Sequence, residues 1–307
     1  MTASLRAGSS RAIGRRLRNG RYLSGLVRFW RGMGLIGQIG LAICTVFVLA
    51  AIFGPMVVPV NADSLIAAPF LGPSGHHLFG TDELGRSEFS RVIVAARVAI
   101  LAAAESVFVG IVIGTPIGVA AGMFGPVVDE ILGRVMDLLF SIPAILLAIT
   151  VIVVLGPSLT HATFALGIVF APQFGRIART ATIEVRGRAY VEAARLSGRS
   201  TLWIIVRHVL PNITTPMSVM VGLILSNAEG SYAVLSYLGF GVPPPTPDYG
   251  TMLFSAQGYL LADPWLIGFP SIALVVLILG FLFVGDGLRQ QLDPENKILS
   301  RGIVGRR

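Results

Sequence analysis

Long apolar runs separated by short polar stretches dominate this chain. A membrane-spanning helix needs about 20 predominantly apolar residues, and six runs come close to that length. The six predicted spans cover residues 34–58, 98–123, 131–155, 159–175, 213–232 and 265–285, of which the fourth is the shortest. The pattern therefore predicts an all-α membrane protein with six transmembrane helices.

Composition supports a membrane protein rather than a water-soluble one. Of 307 residues, 54% are hydrophobic and 13% are charged, too little polar surface to cover a soluble globule of this size. The formal charge of +8 comes almost wholly from arginines at the two ends and in one central stretch. That distribution predicts contact with membrane lipid and no nucleic-acid partner. The single cysteine, Cys44, lies in an apolar run and is interpreted as a packing residue.

The arginines also orient the predicted spans. Eight arginines and no acidic residue precede the first span, which predicts a cytoplasmic N-terminus. Six spans then place residues 176–212 and the C-terminus inside, and the seven arginines of the central segment agree with that placement. The predicted regions are a cytoplasmic Arg-rich segment 1–33, a first transmembrane helix 34–58, an external loop with an amphipathic helix 59–97, a transmembrane core 98–285, and a cytoplasmic tail 286–307.

Glycines recur at every fourth position of the second predicted span, at Gly110, Gly114, Gly118 and Gly122. Fourth neighbours share one face of a helix, so these residues form a smooth strip that a second helix can approach closely. The sequence predicts a helix-packing seam but does not say whether the neighbouring helix belongs to this chain.

The first predicted external loop ends in an amphipathic pattern. Phe89, Val92, Ile93 and Ala96 have helical spacing, which predicts a helix lying at the membrane interface. The charged residues around them are interpreted as its solvated face with local ion pairs: Asp82, Glu83, Arg86, Glu88 and Arg91.

A few polar residues fall inside predicted spans, where they are costly and normally face a water-filled path or a polar partner. Glu105, Asn227 and Glu229 are therefore candidate pathway residues. For Glu105 a position near the outer interface, paired with Arg97, remains an alternative. The fifth span is expected to be interrupted at residues 227–230, and Asp137 is expected to pair with the nearby Arg134.

The central polar stretch contains Glu192, Ala193 and Ala194, followed by Gly198 and then by Leu210 and Pro211. The small alanines predict a short helix with a slim face, Gly198 a turn at its end, and Pro211 the start of the next helix. Such a helix would lie along the membrane surface. Two interpretations stay open. The helix docks into a groove on another protein, or the stretch is an ordinary loop whose arginines only fix the membrane topology.

The spacing of these six residues resembles the EAA loop of ABC importer permease subunits. The stretch Arg207-His208-Val209-Leu210-Pro211-Asn212 resembles the dipeptide and oligopeptide branch, although His208 stands where the family often has isoleucine. Three further blocks carry the same resemblance, namely FGTDELGRSEFSRVI, LSYLGFGVPPPTPDYGTM and GDGLRQQLDP.

The resemblance implies a permease subunit of the bacterial inner membrane, with a coupling helix between spans four and five that fits a cleft in a cytoplasmic ATPase. Glu192 would be the polar anchor, Gly198 the turn, and Ala193 and Ala194 the points of close approach. Arg195 and Arg199 would pair with acids of that partner or with lipid phosphates. The implied partners are a non-identical sister permease, two ATPase subunits and an extracytoplasmic peptide-binding protein. Relatives that carry nickel complexes or glutathione leave the cargo open.

Catalysis by this chain itself is not expected. The only lysine, Lys297, follows Asn296 without the glycine-rich loop that cradles nucleotide phosphates, so ATP and Mg would be bound by partner subunits. No metal site is expected, because the adjacent His76 and His77 are poorly placed to share one ion. The competing class is an ion-coupled secondary transporter that uses Glu105 or Glu229 as a proton site.

Overall fold

The computed structural model describes residues 32–58 and 62–292, and the regular structure within them is helical apart from two isolated β-bridges. The α-helices are α1 Gly34–Val57, α2 Glu88–Met123, α3 Pro126–Ser141, α4 Ala144–Leu155, α5 Leu159–Arg186, α6 Ala189–Leu196, α7 Thr201–Ile204, α8 Leu210–Tyr237, α9 Tyr249–Ala256 and α10 Trp265–Leu292. A π-helical turn, Ile205–Val209, joins α7 to α8. The predicted Arg-rich segment, apart from its last two residues, and the tail from residue 293 lie outside the described residues.

The helical bundle has two ends that differ in character. At one end, residues 62–87 and 238–264 form the loops that precede α2 and α10; we call this the loop end. At the other end, residues 187–209 connect α5 to α8 and contain α6, α7 and the π turn; we call these residues the EAA segment. The helices α2 and α5 both run from the loop end towards the EAA segment, and α8 runs back.

Helix α2 packs very closely against α5. A Cβ atom added at Gly114 would overlap the carbonyl oxygen of Ala171, and one at Gly118 would overlap the carbonyl oxygen of Gly175. Gly110 and Gly122 lie on the same face, against Phe174 and Thr182. The neighbour of the glycine seam is thus a helix of this same chain, and only glycine permits such close approach of two backbones.

Helix α2 begins much earlier than the second predicted span. The Ser87 hydroxyl accepts a hydrogen bond from the backbone N–H of Ser90, which caps the helix at its N-terminus. From there α2 runs unbroken for 36 residues. The separate amphipathic helix expected before residue 98 is therefore the first part of α2, and that expectation is corrected.

The third predicted span is broken. Helices α3 and α4 meet at an angle of 91°, because Ile142 lies in an extended conformation before Pro143. A proline disfavours helical geometry in the residue that precedes it. Within α3 only Met136 is buried, whereas α4 buries Ala148 and Ile152 in the core.

The expected interruption of the fifth span is absent, since α8 is continuous through residues 227–230. Helix α5 likewise continues past residue 175 to Arg186. Among the described residues, four helices are long and apolar enough to cross a membrane, or five when the bent pair α3 and α4 counts as one span. The second half of α5 contains three arginines and a glutamate, so its apolar part is shorter than the helix.

Candidate coupling surface

The helix α6 carries the Glu-Ala-Ala motif and ends in a Schellman-type cap. The backbone N–H of Gly198 donates to the carbonyl of Arg195, at 3.0 Å, and the N–H of Arg199 donates to the carbonyl of Ala194, at 3.2 Å. Gly198 has a φ of +76°, a conformation that L side chains rarely adopt. The glycine is therefore the residue that turns the chain out of α6.

Most of α6 faces away from the rest of the chain. Its only buried side chain is Val191, while Ala194 packs at the edge of the core. Glu192, Ala193 and Arg195 are exposed. Within residues 32–58 and 62–292, the Glu192 carboxylate makes no hydrogen bond or ion pair.

Apolar side chains are exposed beside these charges. Leu196 is 85% exposed, Leu202 is 71% exposed and Val206 is 58% exposed. A surface that combines exposed apolar residues with charged ones is typical of a protein interaction site. The EAA segment therefore exposes apolar side chains next to charged ones.

The end of α5 that leads into the EAA segment is tied firmly to α2 and α3. Arg186 donates to the backbone carbonyls of Gly122, at 3.0 Å, and Met123, at 3.4 Å, and so satisfies the last turn of α2. Arg179 forms a two-pronged ion pair with Asp129 of α3. Displacement of α5 would therefore act on α2 and α3 as well.

The neighbouring acidic residue Asp137 pairs across helices. Its carboxylate lies 2.8 Å from Arg176 of α5, while Arg134 pairs with Glu130 at 3.4 Å. The predicted pairing of Asp137 with Arg134 is therefore wrong. Both residues have closer partners, because Arg134 lies one turn from Glu130 on α3 and Asp137 faces Arg176 of the adjacent helix α5.

The three candidate pathway residues lie in different environments. The Glu105 carboxylate accepts a hydrogen bond of 3.0 Å from the Thr163 hydroxyl of α5. Asn227 is exposed, whereas Glu229, two residues later on the opposite face of α8, is 1% exposed. One oxygen of Glu229, Oε2, is buried and has no hydrogen-bond partner among the described residues.

Sequence reasoning missed a buried polar group next to Glu229. Asp248 accepts hydrogen bonds from the Ser236 hydroxyl of α8, at 2.7 Å, and from the backbone amides of Gly250 and Thr251, at 2.8 and 3.2 Å. Burial raises the pKa of the Asp248 carboxyl above its ordinary value, while these hydrogen bonds act in the opposite direction. An aspartate just before a helix is a common N-cap, and this signal is readable in the sequence.

A second buried polar cluster lies in the loop between α1 and α2. The Asp82 carboxylate accepts from the Arg86 backbone N–H at 2.8 Å and from the Arg86 Nε at 2.6 Å, and it lies 3.5 Å from the Arg91 Nε. Asp82, Arg86 and Arg91 are at most 9% exposed. Glu88 is 3% exposed, and Glu83 pairs with Arg86 at 3.4 Å. The expected ion pairs are present, but the expected solvated face is not.

Metal binding finds no support in the described part of the chain, where no group of three or more His, Cys, Asp or Glu side chains is placed to hold an ion.

The architecture is that of a multi-pass membrane protein with an exposed helical surface at one end. Residues 114–298 match the model of the family described as binding-protein-dependent transport system inner membrane components. The chain belongs to this family.

Several curated proteins are similar to this chain over most of its length. The dipeptide transport system permease protein DppC of Alkalihalophilus pseudofirmus is 37% identical, with 84% of this chain and 86% of that protein covered. The di/tripeptide transport system permease protein DppC of Pseudomonas aeruginosa is 36% identical, with 90% and 94% covered. The glutathione transport system permease protein GsiD of Escherichia coli is 37% identical, with 81% and 83% covered.

A solved structure of the MetNI methionine ABC transporter in an inward-facing conformation shares the fold. The TM-score is 0.55 at 21% sequence identity, with 66% of this chain and 96% of that chain covered. At this identity the likeness extends to the fold alone.

Proposed function

We propose that this chain is the permease subunit of an ATP-driven importer for dipeptides or short oligopeptides. Its family membership and the DppC relatives support the class and the cargo. The chain would line one half of a pathway, pair with a non-identical sister permease, and receive cargo from an extracytoplasmic binding protein. ATP and Mg would be bound by two ATPase subunits and not by this chain.

The topology we propose has six spans, with both termini and the EAA segment in the cytoplasm. The passes would be α1, α2, the bent pair α3 and α4, α5, α8 and α10. The positive-inside rule supports this orientation, because the EAA segment carries Arg188, Arg195, Arg199 and Arg207. Helix α5 is the least apolar pass, and its packing along α2 shields it from lipid.

The observation that carries the proposal is the exposed, firmly capped helix α6. A short helix can transmit movement only if it stays docked to its partner throughout the stroke, which requires a shaped contact. We propose that Glu192, Ala193 and Arg195 meet the ATPase, that Gly198 sets the direction of the turn, and that Leu210 and Pro211 begin the helix that is moved.

Gly198→Asp tests this role directly. The space around Gly198 is open, since no atom lies within 4 Å of an added Cβ, and aspartate tolerates positive φ better than most residues. The chain should therefore still insert into the membrane. The acidic side chain would project into the partner cleft, and we expect transport-linked ATP hydrolysis by the reconstituted complex to be abolished.

Gly75→Asp is the matched control, because Gly75 at the loop end is also exposed and equally free of neighbours. This variant should hydrolyse ATP at the wild-type rate. Wild-type hydrolysis by Gly198→Asp would refute the coupling role.

The cargo is tested by uptake of labelled dipeptide into proteoliposomes that contain the complete transporter and internal ATP. The relative GsiD makes glutathione the second candidate cargo. We expect unlabelled dipeptides to compete for uptake and glutathione to have little effect. Uptake that requires a proton gradient and not ATP would instead support an ion-coupled transporter.

A further inference from the structure

The ring of His208 lies between two other aromatic rings of the EAA segment. Its centroid is 5.5 Å from that of Tyr190 at the start of α6, and 5.2 Å from that of Trp203 in α7. The guanidinium carbon of Arg199 lies 4.9 Å from the centroid of the Trp203 ring. These contacts form one continuous row that joins α6, α7 and the π turn. The row consists of Arg199, Trp203, His208 and Tyr190.

His208 belongs to the π turn that leads into α8. A π turn contains one residue more than an α turn, so the residues before it are rotated by about 100° relative to those after it. The carbonyl of His208 accepts a hydrogen bond of 2.6 Å from the Asn212 side chain, and Pro211 supplies no backbone N–H to this turn. The position of the His208 ring is therefore set by the foot of α8.

Few other side-chain contacts fix the direction of α6, namely those of the buried Val191 and of Ala194 at the edge of the core. This helix contains eight residues, of which only Val191 is buried. So short a helix with one buried side chain is poorly held by packing alone. The contact between His208 and Tyr190 gives α6 a further point of attachment, in the π turn at the foot of α8.

We propose that His208 is a positioning residue that clamps α6 to the foot of α8, so that movement imposed on α6 is passed to α8. The contact that forms the clamp lies within this chain and needs no partner subunit. Its consequence for transport depends on the proposed function, in which an ATPase moves α6.

The clamp is tested first on the permease alone, in lipid nanodiscs, by hydrogen exchange of the backbone amides at residues 192–196. His208→Ala removes two ring contacts, and we expect exchange at these amides to become about tenfold faster. His208→Phe retains a ring and should restore the slower rate. Arg207→Ala, at the adjacent exposed position, should leave exchange unchanged.

The second measurement uses the complete transporter and counts molecules transported per ATP hydrolysed. A residue needed only for folding would lower both rates together. We expect His208→Ala to keep its ATP hydrolysis while this ratio falls several-fold, and His208→Phe to recover it.

Unchanged exchange in His208→Ala would overturn the clamp, whatever the partner does. Faster exchange with a wild-type transport ratio would overturn its role in passing movement to α8. Neither result depends on the outcome of Gly198→Asp, which tests whether the EAA segment meets an ATPase at all.

Discussion

Charged residues interrupt the apolar sequence both in the loop before α2 and in the EAA segment, but the chain uses them in opposite ways. Asp82, Arg86 and Arg91 turn inward and bind one another, with at most 9% exposure. The side chains of Glu192 and Arg195 turn outward and make no hydrogen bond or ion pair within the described residues. The carboxylate of the loop cluster is paired within its own chain, whereas the side chains of Glu192 and Arg195 are unpaired within the described residues.

The difference shows that residue type alone does not distinguish a charge that is buried and paired from one that is exposed. Loop-end charges are buried because the chain folds back over them: the loop of residues 62–87 lies against the start of α2, and Tyr249 of α9 donates a hydrogen bond to the Val92 carbonyl from 157 residues away. Among the described residues, no second layer covers α6. Burial of a charge therefore depends on contacts distant in sequence.

The largest effect that this comparison predicts is that of Asp82→Ala. The substitution leaves Arg86 and Arg91 without their common carboxylate, and removal of one partner from a buried ion pair typically costs about 3–5 kcal/mol. We expect a loss of that size in the free energy of unfolding, measured with the purified protein in detergent.

Glu83→Ala is the matched control for the loop cluster. The Glu83 side chain is more exposed than that of Asp82 and has one longer ion pair, of 3.4 Å, with Arg86. Its loss should cost about 0–1 kcal/mol. Equal losses in the two variants would mean that burial does not distinguish these carboxylates.

Asp248→Ala sharpens the comparison, because Asp248 is buried at the same end without an arginine partner. The substitution removes the carboxylate that accepts hydrogen bonds from the Ser236 hydroxyl and from two backbone amides at the start of α9. It should lower the free energy of unfolding by about 1–3 kcal/mol. Asp263→Ala, in a less buried part of the same loops, is the control and should change stability by less than about 0.5 kcal/mol. If both variants unfold alike, hydrogen bonding to Asp248 does not hold α9.

The sequence predicted those features that follow from local periodicity. Runs of apolar residues located most of the helices, and the four-residue spacing of glycines indicated the face of α2 that packs closely. The motif also indicated a short helix that ends in a glycine turn, from Glu192, Ala193, Ala194 and Gly198. Helix α6 and the positive φ of Gly198 match this expectation.

Features that depend on distant contacts could not be predicted in this way. The pattern at Phe89, Val92, Ile93 and Ala96 indicated a helix with one apolar and one solvent-exposed face. The folded loop nevertheless buries Arg91, which lies on the face expected to be exposed. Pro143 could break or merely kink the third span, and only the packed chain distinguishes these outcomes. The ring contacts of His208 join residues whose spacing carries no periodic signal.

The smallest expected effect on stability is that of Arg195→Ala on the EAA segment. Arg195 is exposed and makes no hydrogen bond or ion pair with its side chain within the part of the chain that the structure describes. We expect the free energy of unfolding to change by less than about 0.5 kcal/mol. A loss of unfolding free energy as large as that of Asp82→Ala would contradict the difference inferred between the charges of the two ends.

The same variant identifies the partner of that exposed charge. If Arg195 meets an acidic residue of the ATPase, its removal should weaken binding of the ATPase subunit to nanodisc-embedded permease by about two- to fivefold, the range typical of an exposed ion pair. The loss should shrink at high salt. It should be the same in neutral and in anionic lipid, because the lipid takes no part in the contact. A loss confined to anionic lipid would assign Arg195 to lipid phosphates instead, and the outward charges of the EAA segment would then anchor it to the membrane and not to the motor.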